Sequence, residues 1–194
     1  MNDYLKQLRF YLRVTGAAAI SRRYFVMNAF DGALAALGVI VGAWSSGPIQ
    51  SRFIVGAGLG MSLAMGISGF AGAYLTERAE RLRRLRELER SLLVDLGNSI
   101  HGRAFRTVVL WTAFVDAMSP ALTSIASIFP FILLSHGLVS ADQAVFISIT
   151  TILVILFSLG AFTGRVSKES ILISGVRMLS VGLITALTVH ILAR

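Results

Sequence analysis

The sequence predicts an all-α polytopic membrane protein with five membrane-spanning helices, and three observations carry that expectation. Of 194 residues, 55% are hydrophobic and only 14% charged, with a mean hydropathy of +0.75, a composition that a domain with a fully solvated surface does not hold. Five stretches, 24–44, 53–75, 105–134, 143–162 and 171–192, reach the roughly 20 apolar residues a helix needs to cross the hydrocarbon core. The basic residues gather in alternate connections between these stretches, a bias that membrane insertion imposes.

Residues 1–23 mix apolar side chains with Lys6, Arg9, Arg13, Arg22 and Arg23. Within them, stretch 5–20 is too short and too interrupted to span and suits an amphipathic helix lying in the interface. No small-residue cleavage site follows a clean apolar core, so a removable signal peptide is not expected.

The first two spans occupy 24–75. The second carries Gly56, Gly58, Gly60, Gly66, Gly69 and Gly72, a density of small residues that lets another helix approach closely and predicts a homodimer contact through this helix. Residues 76–104 then read as an arginine-rich helix continuing span two into the cytoplasm. Leu82, Leu85, Leu88, Leu92 and Leu96 mark one face, expected to dock on the membrane surface or on a partner protomer. Glu77 with Arg81, Glu80 with Arg84, and Arg83 with Glu87 stand four apart and predict ion pairs. Glu77, Glu80, Glu87 and Glu89 are the candidates for a cytoplasmic metal site, a use opposed by neighbouring arginines, which outnumber them and repel a cation.

Spans three to five fill 105–194. Pro120 and Pro130 fall in the third, and each removes a backbone donor. A kink near 118–120 and an unwound C-terminal end are therefore predicted.

Orientation follows from the cations. Sixteen of the 18 lysines and arginines lie before span one, between spans two and three, or around the fourth connection, against only Arg52 and Arg194 on the other side. This predicts a cytoplasmic N-terminus and a C-terminus on the far side. The net charge of +8 and pI of about 11.0 thus report topology, and no nucleic-acid partner is expected. The partners expected are the lipid bilayer and a second copy of the chain.

There is no cysteine, which excludes disulfides, Fe–S clusters and thiolate metal sites. Nor is there an H-E-x-x-H pair, a Walker loop, a nucleophile elbow or a histidine cluster, so neither an enzyme nor a resident cofactor is expected.

Ionisable groups at membrane depth are costly and mark function by default. Asp31 lies in Asn28-Ala29-Phe30-Asp31-Gly32, early in span one, and Asp116 sits near the middle of span three. The structural alternatives are an Asp31 close enough to the cytoplasmic interface to stay hydrated or to pair with Arg22 or Arg23, and an Asp116 held by a hydrogen bond between helices. Met61 and Met65, one turn apart in span two, are either packing residues or soft thioether ligands of the kind that suits late first-row metals. His190, at the end of span five, is given no role.

Three runs resemble the vacuolar iron transporter family. They are Asp31-Gly32 followed by ALAALGVIVGAW; GLGMSLAMGISGFAGAYLTERAE at 58–80, with its Gly-x-Tyr-Leu exit; and FPFILL at 129–134, followed by GRVSKESILISGVRMLSVGLITAL at 164–187. The resemblance covers nearly the whole chain. It implies a homodimer whose first two spans line a central path, exporting Fe²⁺ or Mn²⁺ from the cytoplasm against protons. It also implies that an aspartate of span one and a glutamate and a methionine of span two handle the metal. Asp31 matches the aspartate. The glutamate position is occupied by Met61 and the methionine position falls on Gly69, with Met65 one turn earlier. The family's larger acidic cytoplasmic domain is shortened here to the single arginine-rich helix.

The sequence thus leads to a proton-coupled transporter of divalent transition metal in a prokaryotic plasma membrane. Asp31, Met61 and Met65 are the expected ligands, and Asp116 the candidate proton relay. The alternative is a membrane scaffold or partner-binding protein built on the same fold.

Overall fold

The computed structural model describes residues 6, 10–12, 15–97 and 99–193. Among them are five long helices and no strand: α1 Ala17–Ser45, α2 Ser51–Leu92, α3 Ile100–Ser135, α4 Ala141–Ser167 and α5 Ile171–Leu192. Each holds a stretch long and apolar enough to cross a membrane, in agreement with the five predicted spans. Arg9, Arg13 and Arg194, used in the orientation argument, lie outside the described residues.

α1 begins earlier than its predicted span, after a turn in which Gly16 adopts φ +65°, a conformation glycine accepts without steric penalty. α2 continues through the arginine-rich segment to Leu92 and stops at Leu93, whose φ is +54°. α3 departs from expectation. Pro120 and Pro130 both lie inside it, and it stays helical to Ser135 instead of unwinding after Pro130. Each proline removes only one N–H donor, and in an apolar surrounding no water competes for the remaining bonds. Hydroxyls add local bonds nearby: Thr123 Oγ1 donates to the Ser119 and Pro120 carbonyls at 3.2 and 3.1 Å, and Ser127 Oγ to the Thr123 carbonyl at 2.7 Å.

The chain divides into two compact units, Met1–Phe25 with Gly66–Met118, and Val26–Met65 with Ser119–Arg194. The α3 division falls just before Pro120, where the sequence predicts a kink.

The second unit holds the main apolar core. Ala33, Leu37 and Ile40 of α1, Ile54 of α2, Phe131 of α3, and Ile152 and Leu156 of α4 are buried together. Small residues bring these helices close. A Cβ on Gly32 would lie 2.7 Å from both Cα and the carbonyl oxygen of Pro120, and one on Gly58 would meet Ile128 at 2.6 Å. Ser62 Oγ donates to the Ala121 carbonyl at 3.4 Å, and Ser124 Oγ to that of Gly32 at 3.3 Å. α4 and α5 form a hairpin in which Gly160 abuts the Ser174 carbonyl and Gly175 the Phe157 ring. Its first helix starts with a capping box between Ser140 and Gln143.

In the first unit, Ala73, Glu77, Arg81 and Leu85, each four residues apart, are the buried line of α2. Of the predicted leucine face, Leu85 is buried within the protomer, whereas Leu82, Leu88 and Leu92 are exposed on it. The Glu77–Arg81 pair neutralises itself and the arginine stem packs as an apolar rod, so two charged residues occupy the inner face and most of the leucines turn outward. The glycines of α2 also divide. Gly58, Gly66 and Gly69 pack against α3 of the same chain, whereas Gly56, Gly60 and Gly72 face open space.

Candidate functional site

Asp31 is the middle residue of the 29-residue α1. Its neighbour Gly32 is pressed against Pro120 and Thr123, which fixes the rotation of α1 and leaves Asp31 on the exposed side of the protomer. No ion pair joins it to Arg22 or Arg23 among the described residues. Those arginines sit more than two turns earlier, about 12 Å along the axis at the helical rise, so the alternative of a pairing with them does not form.

Met61 and Met65 belong to the same unit as Asp31. Both are half-buried, and Met61 packs against the apolar core. No group of three His, Cys, Asp or Glu side chains suited to a metal occurs among the described residues. Of the three residues expected as ligands, Asp31 is exposed and the two methionines are half-buried.

Asp116 lies in the first unit and is buried, at 5% exposure. Its carboxylate is seated over Gly69, where a Cβ would come within 2.8 Å of Oδ2. Pro120, four residues on, has no N–H with which to continue the helix ladder onto the Asp116 carbonyl.

The glutamates of the arginine-rich segment are engaged, three of them as the four-residue spacing predicts. Arg81 Nε donates to Glu77 Oε2 at 3.0 Å, Arg84 Nε to Glu80 Oε1 at 3.1 Å and Arg83 Nε to Glu87 Oε1 at 3.0 Å. Glu89 Oε1 accepts the Leu96 N–H at 3.0 Å. Only the first pair is buried, and the Tyr24 hydroxyl extends it, 3.5 Å from Glu77 Oε1. Burial pushes the Arg81 guanidinium below its ordinary pKa, an effect that Glu77 opposes.

Two features escaped the sequence reading. One is the Tyr24–Glu77–Arg81 cluster, since spacing reveals the ion pair but not which of three similar pairs is buried. The other joins α1 to α5, where Ser45 Oγ lies 2.7 Å from His190 Nδ1 and the Trp44 ring stacks on the imidazole, centroids 5.9 Å apart. The signal for it was present, because five crossings bring the end of span one and the end of span five to the same side.

The model of the VIT family matches residues 92–194, from the last residue of α2 through α5. An uncharacterized protein of Methanocaldococcus jannaschii is 35% identical over 169 residues, covering 85% of this chain and 84% of its own. The five apolar helices make the chain an integral membrane protein, and the two matches show that it belongs to the VIT family, the vacuolar iron transporters, a family of membrane metal-ion transport.

Proposed function

We propose that this protein exports a divalent transition-metal ion of the Fe²⁺/Mn²⁺ type from the cytoplasm in exchange for protons. It does so as a homodimer in a prokaryotic plasma membrane, with its N-terminus inside and its C-terminus outside. The observation that carries the reading is Asp31, a carboxylate at the midpoint of an apolar helix, exposed on the protomer. Such a group facing lipid is costly, so a partner surface or a cation must meet it. A second copy brings a second Asp31 and doubles the thioethers of Met61 and Met65, giving two carboxylates and four soft donors around one path. Because a carboxylate ligates metal only when deprotonated, metal entry displaces protons and proton return displaces metal. Asp116 is the proton relay in this scheme, and the ion is substrate rather than resident cofactor.

The test uses proteoliposomes containing a metal-sensitive dye, offered Fe²⁺, Mn²⁺ or Co²⁺ across a pH gradient. Wild type should move at least one of these ions, and Asp31→Asn should lower the rate roughly 100-fold by removing a charged ligand. Undiminished transport by Asp31→Asn removes the proposed site. A second reading, a non-transporting scaffold on the same fold, is favoured by the packing of Met61 against the core. It becomes the better reading if wild type moves none of the three ions.

A further inference from the structure

Between the polar extension of α2 and the start of α3 lies a cavity of about 470 Å³, built wholly from residues of the first unit. Three of its lining residues are Arg78, Arg81 and Arg106. Arg81 is 3% exposed, and while its Nε holds Glu77, its Nη2 is buried without a hydrogen-bond partner among the described residues. Arg106 is braced at the rim, Nη2 donating to the Gly97 carbonyl at 2.8 Å and Nε to that of Gly102 at 3.4 Å. Arg78 makes no ion pair among the described residues.

Arg81 Nη2 is closed off by its surroundings, so Arg81 acts on the cavity through its charge, while Arg78 and Arg106 line it with theirs. With Glu77 as the carboxylate in contact with this cluster, against three guanidinium groups, the cavity attracts an anion and repels a cation. Guanidinium forks match the tetrahedral oxygens of phosphate. The rest of the lining is apolar, including Leu82, Leu85, Phe105, Val109 and Leu110. Tyr74 and Phe105 stand at the ends of the apolar stretches of α2 and α3, which is the depth at which headgroup meets acyl chain.

We propose that this cavity binds a phosphate-bearing ligand, with its oxygens on Arg78 and Arg106 beside the charge of Arg81, and that an anionic phospholipid of the adjoining leaflet supplies it. The site contains none of Asp31, Met61 and Met65, and its test does not depend on transport. Occupied, it ties the arginine-rich end of α2 to the start of α3 and anchors both to the membrane surface.

The test takes delipidated full-length protein in detergent. Native mass spectrometry measures retention of phosphatidylglycerol against phosphatidylcholine, and thermal unfolding is followed with and without inorganic phosphate. Wild type should retain phosphatidylglycerol preferentially, and Arg78→Gln and Arg106→Gln should each reduce that preference roughly fivefold, with the ligand-free Tm of Arg78→Gln unchanged. Arg81→Lys, which keeps the charge beside Glu77, should retain most of the preference. Stabilisation by inorganic phosphate with the two lipids retained equally would support the phosphate site and make a free anion its source. Equal lipid retention with no response to phosphate, or a preference that survives the Arg78→Gln/Arg106→Gln double variant, would overturn the proposal.

Discussion

Gly69 and Asp116 are complementary: the missing side chain on α2 is the space in which the α3 carboxylate lies, since a Cβ at Gly69 would sit 2.8 Å from Asp116 Oδ2 and 3.4 Å from its carbonyl oxygen. Gly69→Leu should therefore destabilise the protomer itself, by about 1–3 kcal/mol of overpacking, seen as a lower Tm in detergent. Gly60→Leu, which adds its side chain to open space, should leave the Tm close to wild type. Equal Tm values for the two variants would contradict this packing.

The buried Glu77–Arg81 pair predicts a larger cost on losing one partner than the exposed Glu80–Arg84 pair. Arg81→Leu leaves a buried carboxylate uncompensated and should cost about 3–5 kcal/mol. Glu80→Gln, which breaks a pair exposed on both sides, should change stability by less than about 1 kcal/mol. Thermal unfolding of both variants in the same detergent compares them directly.

Lys168 closes α4 in the left-handed conformation, φ +60°, with its N–H on the Gly164 carbonyl. Lys168→Gly relieves the strain of an L side chain there and should stabilise the hairpin by about 0.5–1 kcal/mol. Removing the cap at the other end, Ser140→Ala, should destabilise it by about 1 kcal/mol. A loss of stability in Lys168→Gly would mean that the lysine side chain makes a contact worth more than the strain.

Much of this architecture is legible in the sequence because bilayer thickness, helical rise and charge retention act on simple sums along the chain. The five apolar stretches and the three four-residue ion pairs are cases of that kind. The rotation of each helix is not such a sum. The run from Leu82 to Leu96 shows which side chains share a face, but not that the side packed within the protomer is Ala73, Glu77, Arg81 and Leu85, which follows from α3 packing where Gly66 and Gly69 admit it. The same rotation decides that Gly58 serves the protomer while Gly60 remains open. Asp31 was identifiable as a carboxylate at membrane depth, but its exposure follows from Gly32 locking onto Pro120, a contact between residues 88 positions apart.

The proposed orientation has a direct check. A reporter active only outside the cytoplasm, fused after residue 194, should be active, and a reporter placed after Gly97, in the arginine-rich connection, should be silent. Adding lysines near Gln50 should weaken this asymmetry, because orientation follows the balance of positive charge across the loops.

The homodimer reading makes its sharpest prediction at Asp31. If two copies face one another across a metal path, residue 31 of each lies beside that path and the two come within reach of one short reagent. The protein has no cysteine, so a single introduced thiol reports without background. Asp31→Cys in lipid, treated with a short bis-maleimide, should be captured as a covalent dimer. Phe146→Cys, also exposed but on α4, should stay monomeric under the same conditions. Preincubation of Asp31→Cys with Co²⁺ should slow capture if the thiolate, standing in for the carboxylate, still ligates a cation together with the thioethers. Met61→Leu/Met65→Leu in that background should remove the protection without changing capture in the absence of metal, which separates ligation from dimer formation. Equal capture at positions 31 and 146 would place Asp31 away from any two-fold interface and withdraw the dimeric metal path.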